Sequence, residues 1–69
     1  MDHCTTVLIA DSTESFCAEL SAHLQRAGGF QILGTVTDGE SAIRAILEKK
    51  PDVLVLDLML SKQIGRAHV

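Results

Sequence analysis

The 69-residue sequence has no tryptophan or tyrosine, two phenylalanines, one proline and two cysteines. Its six basic residues are outnumbered by nine acidic ones. Each shortage excludes something. Two cysteines allow at most one disulfide, and Cys4 and Cys17 lack the C-x-x-C spacing of a redox pair or zinc site. A net charge of −3 leaves no electrostatic footprint for nucleic acid. His3, His23 and His68 share no metal-ligand spacing, and the glycines form neither G-x-G-x-x-G nor G-x-x-x-x-G-K-S/T. The N-terminus lacks the basic segment of a secretory signal. The longest apolar run, residues 53–60, is broken by Asp57 and falls short of the about 20 residues that a membrane span needs. No membrane association and a cytoplasmic address are therefore expected.

What is present is a short α/β pattern with room for one domain at most. Thr5–Ala10 is continuously apolar after two threonines and rich in β-branched residues, the habit of a strand buried on both faces of a parallel sheet. Ser12 or Thr13 can accept from the first amides of a following helix. Phe16, Leu20 and Leu24, with Cys17 and Ala27 beside them, give that helix an apolar face, and Gly28-Gly29 ends it. Phe30–Val36 reads as a second strand, which Gly34 places at a sheet edge. Asp38-Gly39 starts a second helix, with Ala42, Ile43, Ile46 and Leu47 as its apolar stripe and Pro51 as its stop. Residues 52–57 read as a third strand, also buried on both faces. The order β-α-β-α-β implies an open, doubly wound parallel sheet.

Ligands of such sheets bind outside the carboxyl ends of the strands. Asp11 follows the first strand and Asp57 closes the third. If those strands are neighbours, two carboxylates meet at one rim, where their repulsion is relieved by a shared cation. A hard divalent ion such as Mg²⁺ suits oxygen ligands and keeps open positions for phosphate oxygens. A carboxylate beside it can act as nucleophile toward a phosphoryl group. The plainer readings are that Asp11 starts a helix and Asp57 makes a turn.

Val7-Leu8-Ile9-Ala10-Asp11, followed by Pro51-Asp52-Val53-Leu54-Val55-Leu56-Asp57-Leu58-Met59-Leu60, resembles the receiver domain of two-component response regulators. Ile-Ala-Asp and Leu-Asp-Leu-Met-Leu further resemble the receiver of regulators that control sporulation in Firmicutes. The resemblance implies the first βαβαβ half of a flavodoxin-like sheet over residues 1–63. It makes Asp57 the phosphoacceptor, Asp11 a Mg²⁺ ligand, and Met59 a further ligand through its main-chain carbonyl. A histidine kinase or histidine phosphotransfer protein would be the phosphodonor. DNA would be reached only through a C-terminal effector region that this chain lacks.

Several positions depart from the family pattern. Ser12 stands where a second acid is usual, so it is at best a weaker metal ligand, and weaker Mg²⁺ binding is expected. Ser61 stands where the family has proline. The family's switch hydroxyl and its lysine follow strands four and five, which are not expected in this chain, and Lys62 lies in the wrong loop to substitute. Residues 64–69 (Ile-Gly-Arg-Ala-His-Val) match one reading frame of a common sequencing adapter and are expected to be a non-native tail.

Three functions compete. The leading one is a phosphoacceptor signalling domain that is not itself an enzyme and that controls transcription through its missing effector. An aspartate-nucleophile phosphohydrolase usually has another Asp two residues after the nucleophile, and Met59 stands there instead. A receiver-like interaction module that is not phosphorylated gains weight from Ser12.

Overall fold

The computed structural model describes residues 4–67. His3, His68 and the end of the 64–69 stretch lie outside the described residues. Three strands and three helices alternate: β1 (Thr5–Ala10), α1 (Glu14–Ala27), β2 (Phe30–Val36), α2 (Gly39–Lys49), β3 (Val53–Leu56) and α3 (Leu58–Ala67). The strands form one parallel sheet in the order β2-β1-β3, consistent with part of a flavodoxin-like α/β fold.

β1 is the centre of the sheet, and its composition explains why. Val7, Leu8, Ile9 and Ala10 are all buried, and β-branched and aliphatic residues suit a strand covered on both faces. Val7 and Ile9 point to one face and pack with Cys17, Leu20 and Leu24 of α1, together with Ile32 and Val55. Ala10 points to the other face and packs with Ala42 of α2 and Leu60 of α3, flanked by Val36, Leu56 and Ile64. Successive side chains of a strand alternate between faces, so one strand organises both helical layers.

Local chemistry sets most boundaries. Asp38 caps α2 by accepting from the Ser41 amide at 2.7 Å and the Ser41 hydroxyl at 3.0 Å. Those bonds hold its carboxyl below the usual aspartate range. Lys50 closes α2 in the left-handed conformation (φ 46°), donating its amide to Ile46, and Pro51 follows. Gly28 and Gly29 both take φ of 82° at the end of α1, where a side chain would be strained. Gly34 marks a register break in the β1–β2 pairing, where Val7 opposes Ile32 but Leu8 opposes Gly34. A bulge on a strand at the margin of the sheet is where a glycine is expected.

Some sequence expectations need correction. Cys17, not Phe16, is the buried residue of α1, and Phe16 is 42% exposed. On α2 the buried face is Ala42 and Ala45, and Leu47 points outward, 69% exposed. β3 is not buried on both faces. Val53 and Leu54 are 43% and 36% exposed, because β3 pairs only with β1 among the described residues. Thr13 is the N-cap of α1 but makes no side-chain capping bond, and Ser12 makes none to that helix either.

Candidate functional site

The register places the two predicted carboxylates side by side. Ala10 pairs with Leu56, so Asp11 and Asp57 are the next residue on each of two adjacent strands. The Asp57 amide donates to the Ala10 carbonyl at 2.8 Å, and the Asp11 amide donates to the Val36 carbonyl at 3.0 Å. The parallel pairing thus runs one residue past the strands and ends at the carboxyl rim. The condition that the first and third strands be neighbours is met.

Each carboxylate also starts a helix, as the plainer readings have it for Asp11. Asp11 Oδ1 accepts from the Thr13 amide at 2.9 Å, which turns the chain into α1. Asp57 occupies the N-cap position of α3: its carbonyl accepts from the Ser61 amide at 2.9 Å and its Oδ1 from the Met59 amide at 3.3 Å. The second oxygen of Asp57 is held differently. Ser12 Oγ donates to Asp57 Oδ2 at 3.0 Å. Asp11 Oδ2 makes no hydrogen bond among the described residues. Burial raises the Asp57 carboxyl, but the Met59 amide, the Ser12 hydroxyl and the Ser12 and Leu58 amides outweigh it, leaving it below the usual aspartate range.

The structure therefore brings Asp11, Ser12 and Asp57 together. Met59 joins them through its amide. It lies in the first turn of α3, where a helical carbonyl accepts from the amide four residues on, so its carbonyl is directed along the helix toward Gln63. Lys62 lies exposed on α3. The groups that face the rim are two carboxylates, one of which accepts from the Ser12 hydroxyl, and all are hard oxygen groups. Two carboxylates suit a small divalent cation that keeps several waters, and among the described residues no group of three or more His, Cys, Asp or Glu that could hold a metal ion occurs, at this rim or elsewhere. A cavity of about 320 Å³ opens beside it, lined by Glu14, Cys17, Thr35, Thr37, Asp38 and Ser41, but neither Asp11 nor Asp57 lines it.

Sequence reasoning missed two contacts. The Ser12–Asp57 bond joins residues 45 apart, and the only signal for it was a hydroxyl at a position expected to be acidic. The Gln63 side chain accepts from the buried Gly39 amide at 2.9 Å, locking α3 onto the start of α2, and nothing in the local pattern announced it.

Comparison with known proteins places this rim in context. The chain is 39% identical over 59 residues to the alkaline phosphatase synthesis transcriptional regulatory protein PhoP of Bacillus subtilis, covering 86% of this chain and 24% of that protein. It is 43% identical over 60 residues to the probable transcriptional regulatory protein TcrX of Mycobacterium tuberculosis, covering 87% of this chain and 25% of that protein. Its relatives are response regulators. This supports a receiver-type domain for the chain. A protein-glutamate methylesterase/protein-glutamine glutaminase of Geobacter metallireducens is also similar, 32% identical over 59 residues, covering 86% of this chain and 17% of that protein. The matched segment is thus shared by response regulators named as transcriptional regulators and by ones named as enzymes, so the similarity does not separate an enzyme from a non-enzyme. The chain spans about a quarter or less of the length of these relatives. No family model matches the chain, and no solved structure matches it. Among the described residues no helix is long and apolar enough to cross a membrane.

Proposed function

We propose that the chain is the phosphoaccepting part of a phosphorelay receiver, with Asp57 as the acceptor. The observation that carries this reading is the meeting of Asp57 with the Asp11–Ser12 turn at the carboxyl rim of adjacent parallel strands. A phosphohistidine of a histidine kinase or phosphotransfer protein is the donor. One carboxylate oxygen of Asp57 attacks phosphorus in line, the O–P bond forms as the N–P bond breaks, and the imidazole nitrogen leaves with the electron pair and takes a proton. Asp11 and Asp57 would hold a divalent cation such as Mg²⁺, which when bound offsets charge on the phosphoryl oxygens. The Met59 main-chain carbonyl, two residues past Asp57, would be a further ligand.

The added negative charge lands at the N-terminus of α3, where helix amides and dipole favour it. Readout then passes to the remainder of a longer, cytoplasmic protein. A transcriptional output, sporulation among the candidates, would need a DNA-binding region outside this chain.

Incubation with acetyl phosphate and Mg²⁺, followed by mass spectrometry, tests the proposal. One phosphoryl group on Asp57, absent from the Asp57→Asn variant, is the expected result. Phosphate release with turnover would point to a hydrolase. An unlabelled chain would favour a non-phosphorylated interaction module, the reading that the Ser12 bond to Asp57 supports.

A further inference from the structure

Two carboxylates at one rim leave a charge to be balanced, and in this chain part of the balance is internal. Asp57 Oδ1 accepts from the Met59 amide at 3.3 Å, on the α3 side, and Oδ2 faces the Asp11–Ser12 turn, where a cation shared with Asp11 would sit. That oxygen already accepts from the Ser12 hydroxyl at 3.0 Å. The bond is not incidental to helix capping, because α1 draws no side-chain cap from Ser12 or Thr13, and the turn into α1 is made by Asp11 Oδ1. Ser12 is exposed, so its hydroxyl could turn to solvent at little cost, yet it is directed at Asp57. A carboxylate that accepts such bonds has less to gain from a metal than one facing only other carboxylates.

We infer that Ser12 is a positioning residue whose hydroxyl stands in for a cation on Asp57 Oδ2, so that metal binding requires its displacement. The inference rests on the reading that Asp57 takes a divalent cation. It also reverses the usual expectation for a hydroxyl beside a metal site: removing the hydroxyl tightens binding.

The test is titration of the full chain with Mn²⁺, reading the free ion by electron paramagnetic resonance. Ser12→Ala is expected to bind roughly three- to tenfold more tightly than the wild type, the scale of one ordinary net hydrogen bond. Ser12→Thr, which keeps the donor, should return to the wild-type affinity. Damage to the fold would weaken binding, so tighter binding by Ser12→Ala cannot come from a structural defect. Unchanged or weaker binding by Ser12→Ala, with binding still lost in Asp57→Asn, overturns the role of Ser12 and leaves the cation site standing. Binding that is absent, or indifferent to both Asp11→Asn and Asp57→Asn, removes the cation site itself and this inference with it.

Discussion

Asp38 and Asp57 show how one residue type does two jobs with the same chemistry. Both precede a helix, and both accept from its first amides. Asp38 is held below the usual carboxylate range by the Ser41 amide and hydroxyl, so its folded state binds a proton less readily than its unfolded state. Linkage then sets the sign. The stabilisation is complete above the ordinary aspartate value of about 3.9 and is lost as pH falls through the lowered folded value. An Asp38→Asn variant should therefore be less stable than the wild type near neutrality, with the gap closing in acid. Urea unfolding across that pH range checks it, and a gap that stays constant would contradict the cap assignment. Asp57 has the same capping geometry, but its second oxygen faces Ser12 at a strand rim. Location, more than residue type, separates a cap from a candidate acceptor.

At the scale of elements, α3 decides whether the rim is well formed, because Asp57 is its N-cap. Two features dock it. Leu60 is 1% exposed and packs with Ala10 and Ala42, and Gln63 accepts from the Gly39 amide. Leu60→Ala is expected to cost about 2–5 kcal/mol, the range for truncating a buried leucine. Against a total of about 5–15 kcal/mol for a typical domain, that loss is a large share, and denaturant unfolding should show it. Gly39 is constrained by closeness: a Cβ there would lie 2.9 Å from Gln63 Cβ and 3.0 Å from its Oε1. Gly39→Ala should destabilise by about 1–3 kcal/mol through overpacking, although alanine is the better helix former in isolation. A stabilised Gly39→Ala protein would mean that α3 yields freely.

For the whole molecule, the sheet is well covered at its centre and open at β3. Val53 and Leu54 are partly exposed, and no strand pairs with the far side of β3 among the described residues. An exposed apolar edge is a template for pairing with another chain. The 69-residue chain is expected to self-associate with rising concentration, and Leu54→Lys should suppress this. Sedimentation velocity decides it, and a wild-type chain that stays monomeric throughout would contradict it. The opposite end of the same strand pair is firmly closed. Thr6 and Asp52 exchange three hydrogen bonds of 2.8–3.0 Å that pin the β1–β3 register. That register carries Asp11 and Asp57 to the same rim.

The order of elements through β3, their approximate limits and the location of Asp11 and Asp57 at strand ends were legible in the sequence alone. They depend on short-range signals: a β-branched run, Asp38-Gly39 at a helix start, Gly28-Gly29 and Pro51 at helix stops. Tertiary structure decided the rest. Only the pairing of β3 with β1 makes neighbours of two distant carboxylates, and only that pairing turns the Ser12 hydroxyl onto Asp57. The same holds for Gln63 on Gly39, for the burial of Cys17 in place of Phe16, and for the exposure of β3. Each depends on groups brought together across 24 or 45 residues, or on which strand has a neighbour, and no local periodicity encodes such a meeting.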